Sequence, residues 1–210
     1  FSDHGANRLG ASALMQGLAD GYFVIPFTIG NYIASNKLDD FSIDAPECKS
    51  AETDVKERIQ KILAINGNET VDEIHKKLGR TVWEYCGMAR TKEGLEKAAP
   101  IIADLREHFW NNVKVPGKSN DMNPELEKAG RLVDFLELGQ LMALDALNRN
   151  ESCGGHFREE YQTKENEALR NDQDFSYVAA WGYNKNIKKA TLHKEDLEFK
   201  EVKLTSRSYK

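Results

Sequence analysis

Between residues 70 and 147 the chain carries three long helical stripes in succession, and any fold must bury all three. Val71, Ile74, Leu78, Val82, Tyr85 and Met88 form the first; Leu95, Ala98, Ile102, Leu105, Phe109 and Val113 the second; Leu126, Ala129, Leu132, Val133, Leu136, Ala143 and Leu147 the third. Apolar residues recurring three and four apart line one face of a helix. Each stripe has its own start signal. Thr70 with Glu73 makes a capping box, Thr91 caps with Gly94 in the box slot, and Asn123 caps a helix whose first residue is Pro124. An earlier helical pattern runs from Glu47 to about Ile65, with Val55, Ile59, Ile62 and Leu63 on one face, and Asn66-Gly67-Asn68 stops it. Pro100 interrupts the second stripe and predicts a bend there. Long helices joined by short loops predict an antiparallel three-helix bundle, spectrin-repeat-like, in a mainly α chain.

On either side of the bundle the texture changes. Residues 10–36 are apolar on most faces, with Ser12 as a candidate cap. Gly17, Gly21 and Gly30 weaken the helix, and Pro26 should split it near Phe23 to Ile25. So apolar a helix expects close neighbours on several sides, and in a stand-alone domain Leu14 to Ile33 would form a large exposed patch. It should therefore be disordered, repacked or buried against a second copy. After Asn150, FSYVAAWGYN reads as a strand and LEFKEVKLTSRSY as a second, weaker one. A lone hairpin is marginal in water, so this pair should pack on the bundle. The expected organisation is 1–45, then a helical domain over 46–150, then a small region with short strands over 151–210.

Composition removes several classes. Of 210 residues, 40% are hydrophobic and 30% charged, which is globular rather than disordered. Lys plus Arg is 29 and Asp plus Glu is 34, a net charge of −5, which gives no general reason to hold nucleic acid. Three cysteines, Cys48, Cys86 and Cys153, make neither a disulfide framework nor a cysteine-rich zinc site and fit a reducing compartment. No run reaches the roughly 18 apolar residues of a membrane span. The chain opens at Phe1 inside a glycine-rich loop, which reads as the start of an excised piece of a longer polypeptide, with a trimmed terminus as the alternative.

That loop, HGANRLGASAL (His4 to Leu14), carries the clearest chemistry. Gly5 and Gly10 permit backbone angles closed to other residues and let a ligand approach. The helix that follows offers free N–H groups and the positive end of its dipole. Arg8 adds a planar fork of donors suited to a carboxylate or phosphate. An anionic ligand is the natural expectation.

The same loop resembles the HGANRLGxNSL segment of the flavoprotein subunit of succinate dehydrogenases and fumarate reductases. Leu78, Trp83, Arg90, Glu93-Gly94-Leu95 and Leu105 resemble that family's C-terminal helical domain, with its R-T-x-x-G-L run. ESCGGHFREEY (Glu151 to Tyr161) resembles the family's ESRGAHxRxDY, and YVAAWGY with a basic tail resembles its end. The resemblance implies the C-terminal part of that subunit, without its main FAD-binding and capping domains. It places Arg8 as the clamp on a substrate carboxylate, His4 as either a pocket residue or a loop-orienting one, and Ser12, Ala13 and Leu14 against the flavin at the helix start. It implies FAD in the whole subunit, succinate or fumarate as substrate, and an iron–sulfur subunit and a membrane-anchor cytochrome b subunit as partners. It also implies a cytoplasmic location, the whole subunit lying on the cytoplasmic face of the bacterial inner membrane. The piece alone should be inactive, contain no catalytic residue and no metal, hold no FAD, and self-associate through residues 14–33. L-aspartate oxidase, with the same G-A-N-R loop, is the sibling alternative; a stand-alone helical interaction domain is the other.

Two departures from the family pattern stand out. The family's Asn-Ser is Ser12-Ala13 here, which keeps a backbone contact but removes a hydroxyl at 13. Cys153 replaces the Arg of ESRGAH, in a segment the resemblance puts toward the iron–sulfur subunit, so that arginine's ion-pair partner must be rearranged or absent. Several other residues are expected to be structural. His156 should be satisfied beside Glu151 or Glu159. The adjacent Glu159 and Glu160 should not work as an acid–base pair. Cys153 should be unreactive, and Trp83, Trp110 and Trp181 should anchor packing.

Overall fold

The computed structural model describes residues 10, 12–37, 42–182, 190–198, 200, 201 and 203–205. The chain divides into two compact units, 1–57 and 58–210.

In the first unit, helix α1 (Ser12–Ala19) passes through a π-helical turn at Asp20–Val24 into α2 (Ile25–Ser35). Ser12 is the first helical residue rather than the cap before it. Pro26 sits in the first turn of α2, directly after the π turn, at the place where the sequence predicts a break. The segment is ordered as helix with its apolar side chains uncovered. Leu14 is 73% exposed, Tyr22 and Phe23 each 69%, and Phe27 66%. The expectation of disorder or repacking is thus corrected: helices satisfy their own backbone groups whether or not their side chains find cover. Helix α3 (Pro46–Leu63) begins at the proline that closes the preceding connector.

The second unit holds the bundle. A two-residue strand β1 (Glu69–Thr70) leads into α4 (Val71–Cys86), then α5 (Lys92–Asn112), β2 (Val113–Lys114) and α6 (Pro124–Asn148). All three caps form as the sequence predicts. Thr70 and Glu73 make the reciprocal box, Thr91 Oγ1 accepts from the Gly94 N–H at 3.0 Å, and Asn123 Oδ1 accepts from the Leu126 N–H at 3.1 Å. The predicted stripes supply the core. Ile74, Leu95, Ala98, Ile102, Phe109, Val113, Ala129, Leu132 and Leu136 are all buried, with Ile62 from the end of α3. Arg58 ties that end of α3 to α6, donating to the Gly130 carbonyl at 3.0 Å and to Asp134 at 2.6 Å. Strands β1 and β2 pair in parallel across the ends of α4 and α5. Helix α5 runs unbroken through Pro100, whose ring faces outward.

Two details differ from expectation. Met88 falls beyond the end of α4 and is 92% exposed, so the first stripe ends a turn early. Trp83 is 85% exposed and anchors nothing, because it lies off the buried line through Leu78. Trp110 does pack, in an edge-to-face pair with Phe109 and with Lys61 Nζ over its ring at 4.2 Å.

Beyond the bundle, a single-turn helix α7 (Asp172–Phe175) precedes β3 (Tyr177–Gly182), which pairs antiparallel with β4 (Thr191–Asp196). The second strand is therefore TLHKED, not the LEFKEVKLTSRSY stretch, whose described residues form no strand. Register explains the difference: Tyr177 opposes Asp196 and Gly182 opposes Thr191, which uses up β3 before Leu197 is reached. The hairpin docks on the bundle as expected, with Trp181 Nε1 donating to Asp145 of α6 at 2.8 Å.

Candidate functional site

His4 and Arg8 lie outside the described residues. Of the anion-binding loop, Gly10 and the start of α1 are described. Gly10 has φ +59°, a left-handed angle that favours glycine, and it turns the chain into α1. Ser12, Ala13 and Leu14 form the first turn of α1, with Ser12 and Leu14 exposed and Ala13 half-buried. Beside this helix start, Met15 and Leu18 are also exposed. Among the described residues no group of His, Cys, Asp and Glu is arranged to hold a metal ion.

The second cluster is fully described, and it joins two stretches that look unrelated in sequence. Residues 151–161 lie across one end of the bundle, where α4 and α6 finish and α5 begins. Gly154, with φ +60°, makes the tight turn that lets Cys153 and His156 exchange both backbone hydrogen bonds, at 2.8 and 3.1 Å. The strand-like stretch that follows pairs with Arg90, whose N–H donates to the Phe157 carbonyl at 3.0 Å while its own carbonyl accepts from the Glu159 N–H at 2.9 Å.

The side chains here satisfy helix ends. A helix leaves its last carbonyls and first N–H groups without partners. At the end of α4, Arg90 Nε donates to the carbonyls of Cys86 and Gly87, both at 3.2 Å. At the end of α6, Arg158 Nη1 donates to the Ala146 carbonyl at 3.0 Å, and His156 Nε2 to the Arg149 carbonyl at 3.0 Å. At the start of α5, the Glu160 carboxylate accepts from the Lys92 N–H at 2.5 Å and from Arg158 Nε at 3.1 Å. Burial tends to raise the Glu160 pKa, but these hydrogen bonds and the Arg158 charge outweigh it and hold the carboxyl below its ordinary range. Cations thus sit at helix C-termini and an anion at an N-terminus, as the helix dipoles favour.

Arg158 is 1% exposed and Glu151 2%. Glu151 accepts from Arg149 Nε at 2.7 Å and from the Asn171 N–H at 2.9 Å. Arg149 also donates to the Phe175 carbonyl at 2.8 Å and lies over the rings of Phe175 and Tyr177. Ser152 Oγ bonds both the N–H and the carbonyl of Arg158, at 2.8 and 3.0 Å.

These contacts settle several expectations. His156 is satisfied, but by Arg90 and the Arg149 carbonyl rather than by Glu151 or Glu159. Arg90 Nη1 meets its Nδ1 at 2.9 Å. Of the two expected carboxylate partners, Glu151 is held by Arg149 and the Glu159 side chain is exposed. Glu159 and Glu160 are not paired, since Glu160 alone turns into the cluster. Burial pushes the Cys153 thiol up, with the Glu151 charge adding to it, so a reactive thiolate is disfavoured. The Arg-to-Cys departure strands nothing: among the described residues every buried side-chain polar atom has a hydrogen-bond partner. Sequence reasoning missed Arg158 and Arg149 as structural centres. A signal was present in the basic residues flanking an apolar helix end, but which helix ends they reach is a tertiary fact.

The mainly α fold is similar to that of solved structures. It matches E. coli quinol fumarate reductase FrdA with a TM-score of 0.65 at 24% identity, covering 80% of this chain and 27% of that one. It also matches the Mycobacterium smegmatis Sdh1 complex with a TM-score of 0.59 at 20% identity, covering 72% and 24%. Residues 75–209 match the family described as fumarate reductase flavoprotein C-term, and the chain belongs to that family. Among relatives, the fumarate reductase flavoprotein subunit of a Serratia species is 31% identical over 155 residues, 74% of this chain and 25% of the relative. The succinate dehydrogenase flavoprotein subunit of Rickettsia bellii is 28% identical over 207 residues, 99% of this chain and 32% of the relative. The chain therefore spans about a quarter to a third of the length of these relatives. Among the described residues no helix is long and apolar enough to cross a membrane.

Proposed function

We propose that this chain is the C-terminal part of a flavoprotein subunit that interconverts succinate and fumarate and exchanges electrons with an iron–sulfur subunit and, through a cytochrome b membrane anchor, with quinone. The family match over residues 75–209 carries this reading. The redox chemistry, hydride exchange with the C2–C3 bond of the dicarboxylate, is supplied by FAD when it is bound in the whole subunit. The residues of this chain bind and orient. Arg8 holds one substrate carboxylate, His4 lines the pocket or fixes the loop, and the first turn of α1, at Ser12, Ala13 and Leu14, directs backbone N–H groups toward the flavin ring. In this reading residues 1–45 complete the flavin and substrate site, 46–150 form the helical domain and 151–210 close its end. The subunit works at the cytoplasmic face of the inner membrane.

The test is turnover by the whole subunit with its partners. Succinate oxidation and fumarate reduction are expected; oxidation of L-aspartate with no succinate turnover would replace this reading with the aspartate oxidase one. The 210-residue chain alone is expected to show no flavin absorbance after purification, and near-stoichiometric flavin would contradict the division of labour. The uncovered face from Leu14 to Ile33 should be covered by the rest of the subunit. In the isolated chain we expect it to self-associate, giving a light-scattering mass of a dimer or more. Substituting Leu18 and Phe27 by Glu should return the mass to that of a monomer, and a monomeric parent chain would count against this use of the face.

A further inference from the structure

We propose that His156 is an acid-released latch that fastens residues 151–161 across the end of the bundle. The hydrogen bonds assign its protonation state without ambiguity. A guanidinium only donates, so Arg90 Nη1 at 2.9 Å requires His156 Nδ1 to be a bare acceptor. A carbonyl only accepts, so the Arg149 carbonyl at 3.0 Å requires Nε2 to carry the proton. The neutral Nε2–H imidazole thus bridges the end of α4 to the end of α6 through one ring. No other protonation state makes both bonds.

Adding a proton at Nδ1 turns the acceptor into a donor aimed at another donor. It also places a cation among cations. Arg90 faces the ring from the connection between α4 and α5, Arg149 from the end of α6, and Arg158 from the ring's own segment; all three charges act to keep the ring neutral. The carboxylates near enough to compensate are engaged elsewhere: Glu151 with Arg149 and Asn171, and Glu160 with Arg158 and Lys92. Glu159, paired through its backbone to Arg90, has an exposed side chain. The Cys153 thiol, held in its neutral form by burial, offers no countercharge. Burial disfavours the imidazolium most, and the hydrogen bond to the Arg149 carbonyl opposes this only in part, so the pKa lies below its ordinary value.

The sign follows from linkage. A histidine whose folded pKa is depressed contributes to docking above its unfolded value of about 6.5, and that contribution is lost as the pH falls through the folded value. Release of the ring frees the Arg90 pairing with Phe157 and Glu159, the shared β-like contact that carries the segment. Among the described residues the buried core between α4, α5 and α6 contains no histidine, His75 and His108 lying at its edge, and it is expected to stay closed over the same range.

The test is amide hydrogen exchange on this chain between pH 7.5 and 5, expressed as protection factors so that the intrinsic pH dependence of exchange drops out. Protection of the Arg158 and Glu159 amides is expected to fall by up to about tenfold per pH unit below the unfolded histidine pKa, while Ile102 in α5 keeps its protection. His156→Gln supplies an amide oxygen to accept from Arg90 and an amide N–H for the Arg149 carbonyl, with nothing to titrate. It is expected to hold the segment with a flat profile. An equal fall in His156→Gln would overturn the latch. Nitrogen-15 NMR of the wild-type ring decides independently of how that variant folds: an Nε2–H tautomer at pH 7.5 supports the assignment, and an imidazolium or an Nδ1–H tautomer there refutes it.

Discussion

Arg158→Met is expected to lower the unfolding free energy by about 2–4 kcal/mol. Methionine nearly preserves the volume and the apolar stem, so the loss isolates the guanidinium. Two groups lose a hydrogen-bond partner, and the Tyr161 ring loses the guanidinium that lies 5.5 Å from its centroid. The Ala146 carbonyl at the end of α6 is left without its donor in a buried position, which costs about 1–3 kcal/mol. Glu160 loses Arg158 but keeps the Lys92 N–H and is 39% exposed, so water takes over much of that contact. The Ser152 hydroxyl holds only the backbone of Arg158 and is untouched. Arg158→Ala, which also opens a cavity, should cost more, about 3–5 kcal/mol. Urea unfolding reads this directly: the midpoint should move down with the slope unchanged. A midpoint within experimental error of wild type would mean that Arg158 is buried without supporting anything.

The contrast between Arg158 and Phe109 shows which parts of this fold are visible in the sequence. Phe109 belongs to a periodic stripe, and periodicity alone assigns it to the core, where it is 0% exposed. The three caps were equally legible, because a Thr or Asn and the N–H it binds are three residues apart. Met88 and Trp83 misled for the converse reason. Each sits near the end or the flank of a real stripe, where a shift of one residue around the helix exchanges inside for outside. The Arg90–His156 bond spans 66 positions, and no local pattern announces it. The resemblance had already marked both residues, one in the R-T-x-x-G-L run and one in the ESRGAH-like segment, as separate motifs. In this chain the two motifs meet at that one bond. The anion-binding loop is the reverse case. Its chemistry was the clearest in the sequence, yet of that loop only Gly10 and the first turn of α1 are described.

Arg8 therefore carries a prediction of function rather than of stability. In the whole subunit, Arg8→Gln is expected to lower kcat/KM for succinate and for fumarate by at least about a hundredfold. A guanidinium fork can make two parallel charge-assisted bonds to one carboxylate, and that is the clamp proposed for Arg8. Losing it leaves that carboxylate desolvated and poorly paired, a cost of about 2–5 kcal/mol, and each 1.36 kcal/mol is tenfold in rate. Misplacement of the C2–C3 bond relative to the hydride acceptor adds to the loss, since positioning is what the clamp contributes. Arg8→Lys should recover only part of it, because an ammonium supplies charge without the planar fork. The two directions must fall together. An enzyme cannot change the equilibrium between succinate and fumarate, so with one electron-carrier couple a substitution that weakens only this clamp lowers forward and reverse kcat/KM by the same factor. Flavin content should stay at the wild-type level, since the N–H groups at Ala13 and Leu14 are backbone and survive the change. Near-normal turnover would remove Arg8 from the substrate site. A parallel loss of flavin would move it from clamping the substrate to shaping the loop that leads into α1.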